Sequence, residues 1–151
     1  MKKNLERKQL IYSNGIYYVT IDITVNEWKE MLQNKSIFTN ASLEMLKYWY
    51  EQPNHSATNK QIIDKYHLNC KGTPFNGIVI ALGKRIINYL NRFEVMGPDG
   101  NKSYFILPFE GYHENYDPSK RFIWKIRSEL VQAIKELNLF NIENKTYKDK
   151  L

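Results

Sequence analysis

The chain has 151 residues, 42% of them hydrophobic and 25% charged, enough for one domain that buries roughly two thirds of its unfolded surface. Its 22 Lys and Arg outnumber 16 Asp and Glu, a net charge of +6 that admits polyanions as partners without approaching a histone-like tail. The single Cys70 rules out an internal disulfide framework and a zinc finger, and the longest apolar run, Ile78 to Leu82, is far below the roughly 18 to 20 residues of a membrane helix.

Met1 to Lys8 is basic but leads into Gln9-Leu10-Ile11-Tyr12-Ser13 rather than an apolar signal core, so a cytoplasmic protein with no membrane partner is expected. Gln9 to Ser13 and Ile16 to Ile21 are strand-like and flank Asn14-Gly15, the dipeptide suited to a tight hairpin. Thr24 and Glu27 form a capping box ahead of the apolar stripe Val25, Trp28, Met31 and Leu32, which predicts a helix over about Val25 to Gln33.

Three helical patterns follow. Leu43, Leu46, Trp49 and Tyr50 repeat at helical spacing and stop at Pro53-Asn54. Thr58 and Gln61 make a second capping box before Ile62, Ile63 and Tyr66. Thr73-Pro74 supplies a cap and a first-turn proline for the stripe Ile78, Val79, Leu82, Ile86, Ile87 and Leu90. Phe93 to Met96 and Ser103 to Leu107 read as strands joined by the turn Gly97 to Lys102, followed by a polar, aromatic loop from Phe109 to Lys120. Arg121 to Ile126 reads as a strand, Ser128 to Leu139 as a helix, and 141–151 as a polar tail that frays.

Helix, helix, helix and hairpin in this order resemble the winged-helix family over about residues 41–107. The expected fold is α+β: one domain over 1–151, a winged helix-turn-helix core, an N-terminal β-hairpin, and a C-terminal strand and helix. The runs Phe105 to Tyr112 and Phe122 to Ile134 also resemble the recognition-type domain found beside HNH nuclease or McrB-type modules in bacterial restriction proteins. That resemblance implies sequence- or modification-selective binding of double-stranded DNA, in restriction, phage defence or transcription regulation. It also implies a partner protein that carries the nuclease or ATPase.

In winged-helix proteins the third helix enters the major groove and the wing touches backbone or minor groove. Carried onto this chain, Asn76, Lys84, Arg85, Asn88 and Arg92 are the polar members of that helix and its end, with Asn91 beside them, and Asn76 is placed to pair with adenine. Lys60, Lys71 and Lys102 are candidates for phosphates; four to six such contacts would give a log–log salt slope of roughly −4 to −5. Tyr112 and Tyr116 are candidates for stacking on a base. The plainer readings are a solvated helix face, cations at a helix C-terminus, and aromatics that fill a core.

No catalytic residue, metal or cofactor is expected. The chain has no Gly-x-x-x-x-Gly-Lys-Ser/Thr phosphate loop, and His55, His67 and His113 lack metal-ligand spacing. Cys70 has Lys71 beside it but no oxyanion donor in view. Two alternatives accompany DNA binding: a protein-interaction adaptor on the same surface, and a small metal-dependent nuclease using Pro98-Asp99 with Glu143 and Lys145.

Overall fold

The computed structural model describes residues 5–68 and 74–140. Its strands are β1 (Glu6–Gln9), β2 (Ile11–Ser13), β3 (Ile16–Tyr18), β4 (Ser56–Ala57), β5 (Phe93–Met96), β6 (Phe109–His113) and β7 (Phe122–Ile126). Its helices are α1 (Val25–Leu32), α2 (Asn40–Tyr50), α3 (Asn59–Lys65), α4 (Pro74–Leu90) and α5 (Ser128–Leu137). The architecture is mixed α+β, with a two-stranded parallel sheet β1-β5 and a five-stranded antiparallel sheet in the order β2-β3-β6-β7-β4. Among the described residues no helix is long and apolar enough to cross a membrane.

Local chemistry sets the helix starts. At α1 the Thr24 hydroxyl accepts the Glu27 N–H (3.1 Å) while Glu27 Oε1 accepts the Thr24 N–H (3.0 Å). Thr58 and Gln61 repeat the exchange at α3, at 3.0 and 2.8 Å. Asn14 and Gly15, both at positive φ, turn β2 into β3. At Leu10, buried, the chain leaves one sheet for the other.

Among the described residues, the buried apolar side chains form a single cluster. Trp49 sits at its centre, stacked on Trp124 (5.6 Å between rings), against Phe75 and Phe109 (5.1 and 5.5 Å), with its indole N–H donated to the Ala57 carbonyl at 3.1 Å. That bond ties α2 to β4 in a place where an unpaired indole N–H would be costly.

Several strands differ from expectation: β1 and β4 are additional to those read from the sequence, and two further segments change role. The hairpin read from Phe93 to Leu107 closes only at the bridge between Met96 and Lys102, with the Ser103 N–H on the Val95 carbonyl (2.9 Å). β1 occupies the other edge of β5, and Tyr104 then packs onto α4, so Ser103 to Leu107 does not continue as a strand. The run Phe109–His113, read as loop, is instead a central strand, and β6 pairs with β7 along its whole length.

Candidate nucleic-acid interface

The antiparallel pair β6–β7 and its connecting loop stand in the chain directly before α5, with β4 on the far edge of β7. At the loop, Glu114–Tyr116 makes a tight turn in which Asn115 and Tyr116 both take left-handed φ, 56° and 57°. For a tyrosine this backbone is strained. It is held from behind by the β2–β3 turn: the His113 N–H donates to the Gly15 carbonyl (2.7 Å), and Gly15 lies so close to the Tyr116 carbonyl that a Cβ would collide with it. Arg121 pairs with Glu114 across the loop. The Asp117 carboxyl is held below its usual range by the Ser119 backbone N–H, then by the Ser119 hydroxyl.

α4 buries Phe75, Val79, Leu82, Gly83, Ile86 and Ile87 and exposes Asn76, Gly77, Ile80, Lys84, Asn88 and Tyr89. The i, i+4 spacing of Asn76, Ile80, Lys84 and Asn88 makes one continuous outward row. Beside its first half lies a cleft of about 370 Å³ lined by Asn76, Val79, Ile80, Lys102 to Phe105 and Trp124. The Lys84 ammonium lies 5.6 Å from the Tyr104 ring centre, within reach of a cation–π attraction.

The other residues expected to meet DNA are distributed unevenly. Lys60 is exposed on α3 and pairs with Asp64 at 3.1 Å, and Lys102 pairs with Glu94 at 3.1 Å. Arg85 turns inward, donating Nε–H to the Ile37 carbonyl at 2.7 Å. Arg92 reaches Glu27 through both terminal nitrogens (2.6 and 2.9 Å) and the Asp22 carbonyl (2.8 Å); these carboxylate hydrogen bonds raise its pKa. Lys71, with Cys70 and Thr73, lies outside the described residues, as do Glu143 and Lys145. Tyr112 and Tyr116 do come together, 5.9 Å between rings, Tyr116 being 60% exposed. The alternation of β6 puts Tyr112 on the opposite sheet face from Gly111 and His113, away from Trp124.

Sequence reasoning missed the cations of the β6–β7 pair, Lys120, Arg121 and Lys125, because it sought the wing directly after β5: Lys120 closes the expected loop, and Arg121 and Lys125 belong to an expected strand outside the winged-helix core. The signal that could have placed them is the alternation of Phe109, Gly111 and His113 against Glu110 and Tyr112. Among the described residues, no group of three or more His, Cys, Asp or Glu could hold a metal. No protein-family model matches the chain, no curated protein matches it in sequence, and no solved structure matches its fold.

Proposed function

We propose that this chain binds double-stranded DNA as a winged-helix module, with α4 in the major groove and the β6–β7 pair, rather than the segment after β5, as the wing. One observation carries the reading. β4, between α2 and α3, pairs with β7, and β7 with β6 after α4, which is the helix, strand, helix, helix, strand, strand order of a winged helix. The segment from Asn91 to Pro108 is then an insertion between the third helix and the first wing strand. The net charge of +6, the outward row Asn76, Lys84 and Asn88, and the wing cations Lys120 and Lys125, with Arg121 held beside them by Glu114, supply groups for phosphate and base-edge contacts. The resemblance to restriction-type recognition domains adds modified cytosine as a candidate target and a nuclease or ATPase as the partner protein.

The test is fluorescence anisotropy with matched unmodified and cytosine-modified duplexes at two salt concentrations. Salt-dependent binding supports the reading, and preference for the modified duplex supports its selectivity. Absence of binding at low salt overturns it. A protein-interaction module is the second reading, favoured by Ile80 at 42% exposure within the outward row of α4 and by the ion pairs that occupy Lys60 and Lys102. Capture of a protein partner that competes with no DNA would identify it.

A further inference from the structure

A second cavity, of about 420 Å³, lies on the inner face of the five-stranded sheet beneath the turn that follows β5, a volume ordinary for a small-ligand site. Tyr17, Phe105 and Phe122 line it, with Asp99 and Lys102 among the residues of the turn. The three rings stand nearly perpendicular to one another: 86° and 6.1 Å for Tyr17 with Phe105, 85° and 5.6 Å for Tyr17 with Phe122, 77° and 5.9 Å for Phe105 with Phe122.

Three mutually perpendicular planes make a corner. Three perpendicular rings with centres 5.6 to 6.1 Å apart can share a point roughly 4 Å from each, inside the ~6 Å over which a ring face attracts a cation, and the cavity lies among them. The corner is built around Gly111, where a Cβ would lie 2.6 Å from Phe122 Cζ and 2.7 Å from Phe105 Cε2; any larger residue would displace two walls. A flat base would call for parallel surfaces on which to stack, and this trio has none.

The charge at the rim has the matching sign. Asp99 is held ionised by the Asn101 backbone N–H (3.0 Å), then by the Asn101 side chain (3.3 Å). Its charge reaches Tyr17, whose hydroxyl is pushed up mainly by burial, then by Tyr12 and Asp99. Among the described lining residues, the Lys102 ammonium is met by Glu94 at 3.1 Å, and the His113 ring places Nδ1 3.0 Å from the Lys120 carbonyl. We propose that this cavity binds an alkylated ammonium group, seated in the corner of Tyr17, Phe105 and Phe122 with the Asp99 carboxylate at its rim. Alkylation matters because a weakly hydrated cation gives up little to enter aromatic walls, whereas a bare ammonium or metal ion gives up its hydration shell. This inference is independent of DNA binding.

The test is a titration of the full chain followed by aromatic ring-proton shifts, with tetramethylammonium, choline, trimethyllysine amide, and the neutral choline isostere 3,3-dimethylbutanol. Saturable shifts at Tyr17, Phe105 and Phe122 with the cations and none with the neutral isostere support the assignment. The tighter of choline and trimethyllysine then names the natural source. Equal binding of the neutral isostere overturns it, as do shifts no larger than a matched sodium chloride series produces. Phe122→Leu should weaken tetramethylammonium roughly 3- to 30-fold. Asp99→Asn, on an exposed turn, should weaken it while leaving the thermal midpoint near the parent value; unchanged affinity in a folded Asp99→Asn protein also overturns the proposal.

Discussion

Arg92, just past the end of α4, holds Glu27 in the first turn of α1 through two hydrogen bonds of 2.6 and 2.9 Å, although 65 residues separate them. Both side chains are about two thirds buried, and Glu27 at the same time closes the capping box of its own helix. One carboxylate therefore fixes a helix start and joins two elements. We expect Arg92→Ala to cost about 1–2 kcal/mol, read as a lower thermal midpoint, and to leave the salt slope of duplex binding unchanged. The Arg92 hydrogen bond first, and the Thr24 backbone N–H with it, hold the Glu27 carboxyl below its ordinary range. Its stabilisation is thus present above the unfolded carboxyl pKa and is lost as pH falls through the lower folded value. Glu27→Gln should flatten that acid limb of a stability–pH curve.

Neighbours in sequence, Lys84 and Arg85 separate by role. Lys84 is on the outward row of α4, while Arg85 serves the Ile37 carbonyl. Lys84→Ala should weaken duplex binding and reduce the salt slope by about 1, with stability within about 0.5 kcal/mol of the parent. Arg85→Ala should do the reverse, costing about 1–2 kcal/mol for a carbonyl left without its charged donor. Paired anisotropy and thermal melts on both variants decide it; a Lys84→Ala protein that keeps the parent affinity and salt slope would remove α4 as the contact surface.

Gly83, in the middle of α4, is an unfavourable helix residue by propensity, and Ala there ordinarily gains about 1 kcal/mol. Here a Cβ would stand 2.6 Å from Tyr104 Cβ and 2.9 Å from the Tyr104 carbonyl oxygen. Backbone cannot yield as a flexible side chain can, so Gly83→Ala should instead destabilise by roughly 1–3 kcal/mol. Denaturant unfolding measures the sign directly.

The Tyr48 hydroxyl donates to Glu44 at 2.8 Å, and this hydrogen bond, then burial and the Glu44 charge, push its pKa up to about 12. The raised value stabilises the fold below the unfolded tyrosine pKa, and that contribution disappears as pH rises through about 12. Glu44→Gln should bring the phenolate absorbance step of Tyr48 back toward the ordinary tyrosine range; a step that does not move would assign the shift to burial alone.

The features legible in the sequence are those that a few adjacent residues decide. Thr24 with Glu27, Thr58 with Gln61, and Asn14-Gly15 each act over a span of two to four positions, and the structure places them as read. What escaped is the partner of each strand. Gly97-Pro98-Asp99-Gly100 is sound turn chemistry, yet the strand it should have returned is drawn off by Tyr104 at Gly83. β6 was hidden by Gly111, a poor strand residue kept because Phe105 and Phe122 close over it. The same distance effect divided the expected site. Arg85 and Arg92 have charges that suit phosphate, but the groups they meet, Ile37 and Glu27, lie 48 and 65 residues away.

The strand order has a consequence for how the chain comes to be folded. β1 pairs with β5, β3 with β6 and β4 with β7, so every early strand except the β2–β3 hairpin waits for a later one. A nascent chain that has emerged only as far as α4 carries β1 and β4 with no mate and open edges on offer to other chains. Sheet closure awaits Phe122 to Ile126, which lie between β6 and β4. Assembly of that sheet therefore comes after β7 is made, and a fragment ending before Phe109 holds the β2–β3 hairpin and β4 without the strands that join them.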